Sequence, residues 1–212
     1  MAIFRAIFFI TAIRTMPTDA ARAPWFFRFA ACCRFYTGAV TRYQLHSTFL
    51  TQWVADTLED QRHYYAFDAP GCTRTHRLLF RIAIAAKPGK VLLWEKGEPG
   101  EWLSRALPYP DYVTTPPAGL LWLDARAQPA AHALHPLLAQ LPPEAIVVVH
   151  KPHASPGAEA CWQALCAHPA ITQSVDYYQM GVLFLRPEWR IKQHWRIIRW
   201  RWKPWQVGLW SR

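Results

Sequence analysis

The sequence predicts an α/β fold, a mostly parallel sheet with helices on both faces, and three observations predict it. The runs Lys90–Trp94 (KVLLW), Gly119–Asp124 (GLLWLD) and Ala145–His150 (AIVVVH) are nearly continuous in apolar residues, as parallel strands covered on both faces are. Helix-like segments alternate with them. The stretch Val91 to Leu103 (VLLWEKGEPGEWL) reads as strand, glycine-bearing turn and helix start, the way nucleotide-binding sheets open their ligand site. The chain that follows is short. Residues 104–118 include Pro108, Pro110, Pro116 and Pro117, and a single crossover with its helix takes ~10–12 residues at least. The expected architecture is therefore a Rossmann-like sheet reduced in its first half.

Each element has its own signal. Residues 24–43 interleave Arg28, Arg34 and Arg42 with Trp25, Phe26, Phe27, Phe29, Phe35 and Tyr36, an amphipathic helix that Gly38 should end. Residues 47–61 form a second helix capped by Ser47, with Phe49, Val54 and Leu58 near one face. A turn follows at Asp68–Gly71. Thr75 to Ala86 is a third helix, with Leu78, Leu79, Ile82 and Ala86 inward, stopping before Pro88-Gly89. After the first two strands, Ala130–Leu141 is a helix bounded by Pro142-Pro143, and Gly157–Ala167 is a helix ended by His168-Pro169. Ile171–Tyr178 and Val182–Leu185 read as two strands around a Gln179-Met180-Gly181 turn, an antiparallel pair at one edge of the sheet. Ile191–Trp200 is a strand or short helix with a basic face.

Composition bounds the partners. The formal net charge is +10, and it is concentrated at the ends: residues 1–45 carry 6 basic and 1 acidic side chains, residues 46–185 carry 10 and 12, and residues 186–212 carry 8 and 1. Basic ends crowded with aromatics suit an anionic surface, either lipid headgroups or nucleic acid. Three regions are expected: a basic aromatic extension at 1–42, the α/β domain at 43–200 and a basic Trp-rich tail at 201–212. The apolar run Ala6–Ile13 is far shorter than the ~20 residues that span a bilayer. Translation starting at Met1 or at Met16 are both open readings, and a cytoplasmic protein, peripheral at the inner face of the membrane, is the working expectation. Cys32, Cys33, Cys72, Cys161 and Cys166 show no zinc-like spacing, and reduced cysteines are the simplest reading.

Ligands of open α/β sheets sit beyond the carboxyl ends of the strands. Three such ends are legible: Glu95–Gly100, Asp124–Arg126 and His150–His153. The first carries Glu95, Glu98 and Glu101, which suit a helix N-terminus but repel a phosphate; a solvated acidic turn is the simpler alternative. At the third, His150 and His153 come within reach of Asp124 if neighbouring strands pair, and two imidazoles with a carboxylate are metal-ligand types. Histidines that cap or face solvent explain the same spacing, and no metal is expected. His46-Ser47 lacks a nucleophile elbow, and Ser47 is better explained as a helix cap.

Several segments, in order, resemble a family of small class I S-adenosylmethionine (SAM)-dependent methyltransferase-like proteins. They are Leu45–Phe49, Tyr64–Phe67, Arg77–Arg81, Lys87–Val91, Leu121–Asp124, Ala160–Gln163, His168-Pro169 and Asp176–Phe184 (DYYQMGVLF). The resemblance spans roughly residues 43–200, and its QMG-containing end is the most specific part. It implies a class I methyltransferase-type sheet whose first strand ends in an acid and a glycine turn holding the cofactor's amino-acid part. Glu95, Gly97 and Gly100 fall there, and Asp124 matches the aspartate after the fourth family strand, nearest the methyl acceptor.

The central motifs depart from the family pattern. Two residues separate Gly97 from Gly100 where the family has three. Asp111–Thr115, which stands for the next strand, has no acid at its end for the ribose hydroxyls. The helix and strand that wall the adenine have no room, and His150-Lys151 replaces an acidic pair. The expectation is a SAM-dependent methyltransferase-like protein, degenerate and without efficient methyl transfer, with SAM as the only cofactor the resemblance implies. The alternative is a peripheral membrane-surface or nucleic-acid binding protein. It would act through Arg190, Trp195, Arg196, Arg199, Trp200, Arg201, Trp202, Lys203 and Trp205.

Overall fold

The computed structural model describes residues 24–94, 99–127, 131–189 and 191–203. In chain order the elements are α1 (Pro24–Gly38), α2 (Thr48–Thr57), α3 (Arg74–Ala86), β1 (Lys90–Leu93), α4 (Gly100–Ala106), β2 (Asp111–Val113) and β3 (Leu120–Asp124). They continue with α5 (Ala131–Ala139), β4 (Ile146–His150), α6 (Pro156–Ala167), β5 (Gln173–Asp176), β6 (Met180–Phe184) and β7 (Gln193–Arg196).

The helix boundaries follow from local chemistry. Ser47 accepts a hydrogen bond from the Leu50 amide and Thr73 from that of His76, so both cap orphan donors. Pro156 opens α6 behind the Ser155 cap. Lys87 ends α3 in the left-handed region, φ 46°, just before Pro88-Gly89.

One seven-stranded sheet runs in the order β2-β1-β3-β4-β6-β5-β7. Strands β2, β1, β3 and β4 are mutually parallel, with Leu92 beside Leu121 and Trp122 beside Val148. Strand β6 runs antiparallel to both of its neighbours, β4 and β5. The order reverses about β1, where β2 lies on one side and β3 on the other, as in a doubly wound sheet. These orders and directions make the sheet Rossmann-like.

Alternate residues of each strand face opposite cores. Helices α2, α3 and α4 bury Leu50, Trp53, Leu79, Ile82 and Leu103 against Leu120, Trp122, Val148 and Val182. Helices α5 and α6 bury Leu134, Leu138, Trp162 and Leu165 against Leu121, Leu123, Val147 and Leu183. Helix α1 lies at the far end, with Phe35 and Ala39 against Ile198.

The structure corrects two details of the sequence reading. The turn between the last two expected strands lies at Tyr177–Gln179, with Tyr178 at φ 70°, and Met180 and Gly181 are already in β6. Gly181 is required by packing: a Cβ there would stand 2.3 Å from the Trp162 ring. The antiparallel pair also receives one further strand, because β7 adds parallel to β5 outside it. Between β2 and β3 the chain has no helix, and β2 is an edge strand of the sheet.

Candidate site at the strand ends

The reversal of strand order places the carboxyl ends of β1 and β3 side by side, where a doubly wound sheet binds its ligand. Helix α4 starts there. Its first residue, Gly100, packs directly under the Trp122 indole: a Cβ on Gly100 would lie 2.8 Å from Nε1 and 2.9 Å from Cδ1. Trp122 is 1% exposed. Its ring lies 5.3 Å from that of His150, tilted by 30°. Strand periodicity explains this, since Trp122 and Asp124 are two apart on β3 and so share a face.

Asp124 and His150 are register partners on β3 and β4. The His150 ring nitrogen Nδ1 lies 3.1 Å from Asp124 Oδ2. Arg126 donates its backbone amide (2.9 Å) and Nε (3.0 Å) to Asp124 Oδ1, and its Nη2 also pairs with Oδ2. Burial alone would raise the carboxyl's pKa, but the hydrogen bonds from His150 and Arg126 outweigh it and hold Asp124 well below the usual carboxylate range. The carboxylate is thus ionised and saturated by the chain's own donors.

His153 does not join this pair. Its Nε2 lies 2.7 Å from Asp176 Oδ2 at the end of β5, and its ring stacks on Tyr178 at 5.3 Å and 14°. Residues in helix α1 cover this second histidine: Phe35 lies 6.3 Å from it, Arg34 pairs with Glu159, and Tyr178 Oη donates to the Arg28 carbonyl. The two histidines thus serve two carboxylates. Among the described residues no group of three metal-ligating side chains gathers.

Of the residues expected at the cofactor turn, Glu95 and Gly97 lie outside the described residues, as do Arg190 and Trp205 of the expected basic surface. Lys203 requires a correction. It was expected on that surface, yet it is 5% exposed, donates 2.7 Å to the Ala39 carbonyl and sits 4.9 Å over the Tyr36 ring. The long stem of lysine packs on apolar surface, and a carbonyl otherwise orphaned at the end of α1 takes its head. Trp195 packs partly into the core, while Arg196 and Arg199 each reach a backbone carbonyl, of Arg34 and Leu58. Trp200, Arg201 and Trp202 stay exposed, with the Arg201 guanidinium 5.7 Å from the centre of the Trp200 ring. Among the described residues no helix is long and apolar enough to cross a membrane.

Sequence reasoning did not find the Trp122–Gly100 contact. Trp122 lies within a motif of the resemblance and Gly100 in the turn, but the contact joins two elements.

No protein-family model matches the chain, and no curated protein matches it. Among solved structures it is similar to a presumed O-methyltransferase from Klebsiella pneumoniae, at a TM-score of 0.37 and 9% sequence identity, over 68% of this chain and 92% of that one. The class of the domain, a Rossmann-like α/β sheet, rests on the strand order and directions given above.

Proposed function

We propose that this chain is a methyltransferase-type domain that has lost the use of SAM and now serves as a binding module. The observation that carries the reading is Trp122 seated against Gly100 at the point where the strand order reverses. A glycine in a cofactor turn gives the ligand close backbone access; at Gly100 the group that stands where a side chain would be is the chain's own Trp122 indole. The ribose also lacks its acid, because β2 ends at Val113 and Thr114-Thr115 follow. Ribose hydroxyls buried without partners cost ~1–3 kcal/mol each. Isothermal titration with SAM and S-adenosylhomocysteine is expected to give no dissociation constant tighter than ~1 mM, a binding free energy of about −4 kcal/mol. A low-micromolar value for either would restore the enzyme reading.

A second reading has its own observation. Trp25 and Trp202 are 68% and 60% exposed, and the segment carrying Trp200, Arg201 and Trp202 is tied to α1 by Tyr36 Oη donating 2.8 Å to the Trp202 carbonyl. Indoles favour the headgroup level, and a basic residue near an anionic leaflet contributes ~1 kcal/mol. This face would hold the domain on an anionic membrane. The full chain should co-sediment with phosphatidylserine vesicles and not with phosphatidylcholine, and Arg201→Gln should weaken that binding about fivefold. Equal, negligible binding to both vesicle types would remove the membrane reading.

A further inference from the structure

Strand β7 extends the sheet past the cover of α6, and the step leaves a cleft. Its floor is β5 and β7, where Ser174 pairs with His194 and Asp176 with Arg196 in register, so all four share one face. Trp162 and Cys166 of α6 form one wall, and Gly38 at the end of α1 closes an end. The volume is about 320 Å³, at the small end of the ~300–1,000 Å³ found for small-molecule sites. It lies apart from the reversal point between β1 and β3.

One carboxylate, Asp176, and one guanidinium, Arg196, line this cleft, and their side chains are not paired with each other. Both oxygens of Asp176 are taken, one by His153 and one by the Tyr178 amide (2.7 Å). Arg34 is held by Glu159, and Lys192 by the carbonyls of Ala167 and His168. Arg196 gives one guanidinium nitrogen to the Arg34 carbonyl at 3.3 Å, and among the described residues no carboxylate pairs with it. Ser174 Oγ lies 2.8 Å from His194 Nδ1, so the pair offers polar groups on the floor. Burial, then the charge of Lys192, lowers the His194 pKa, which keeps its imidazole neutral at pH 7. Burial pushes the Cys166 thiol up to about 12, so it lines the wall as an apolar group and supplies no nucleophile.

We propose that this cleft is a binding site for a small aromatic carboxylate, its carboxylate on Arg196 and its ring between the wall of α6 and the floor of β5 and β7. A guanidinium fork matches a carboxylate in a plane, and charge-assisted bonds of this kind are about twice as strong as neutral ones. This inference does not depend on the reading of the strand ends.

The test is isothermal titration of the full chain with 1-naphthoate, with its neutral analogue 1-naphthylmethanol and with inorganic phosphate. Naphthoate should bind at least about tenfold more tightly than either comparator. Arg196→Met should weaken naphthoate about tenfold or more and leave the alcohol unchanged. Gln163→Trp, at an exposed rim position, should block naphthoate while thermal unfolding stays as in the parent. Absence of naphthoate binding, an unchanged affinity in Arg196→Met, or phosphate binding as tightly as naphthoate would each overturn the proposal.

Discussion

Replacing Trp122 by alanine should lower the unfolding free energy by ~3–5 kcal/mol, the range for removing a buried large aromatic. Trp122 is among the largest fully buried side chains of the fold. Its indole fills the space between Gly100, the His150 ring and the helices on that face of the sheet. The neighbours are a helix start and a strand end fixed by their own hydrogen bonds, so they cannot collapse far into the gap. Urea unfolding should show a lower midpoint with an unchanged slope, the mark of a stability change without a change in the surface exposed. Loss below ~1 kcal/mol would mean that the indole lies loosely at the strand ends, and the case that it displaces a cofactor would weaken with it.

The second large effect is expected at Gly181. This residue lies in β6, paired with Val149 on one side and Asp176 on the other. Its missing side chain is the seat of Trp162: an added Cβ would meet Cζ3 at 2.3 Å and Cη2 at 2.5 Å. No strand carbon tolerates such approach, and β6 is held on both edges, so α6 must shift outward. Overpacking of this kind costs ~1–3 kcal/mol and at times more, and Gly181→Val should reach the top of that range or exceed it. Gly181→Ala combined with Trp162→Leu should recover ~1 kcal/mol or more relative to the sum of the single changes, because the two sites are in contact. Strict additivity in chemical denaturation would disprove the contact.

Much of the architecture is legible in short stretches. KVLLW, GLLWLD and AIVVVH announce buried parallel strands by their unbroken apolar character, and the structure pairs them in parallel as β1, β3 and β4. Ser47 before an amphipathic run announces a helix start, and it caps α2. The shortness of residues 104–118 announces a reduced first half, and β2 indeed passes to β3 without a helix. The candidate site was less legible. Asp124 and His150 stand at strand ends by sequence, and their meeting follows once β3 and β4 are neighbours in register. His153 stands three residues from His150, yet it turns to Asp176, because the chain bends after β4 with Lys151 at φ 48°. The burial of Lys203 has no local sign at all: it rests on a carbonyl 164 residues away, that of Ala39.

By itself, then, the sequence determined most of the strands and helices, with Ile191–Trp200 left open between the two, the direction expected of the first strands and the excess of positive charge at the two ends. Periods of two and 3.6 residues, caps and proline breaks act within a segment, so they are readable there. Tertiary structure alone decided that Trp122 fills the space at Gly100, that Gly181 seats Trp162, and that a seventh strand leaves Arg196 facing a cleft. Each of these depends on which strand lies beside which and in what register. Neighbour choice is set by long-range packing between elements, and a one-residue slip would send every side chain of a strand to the other face.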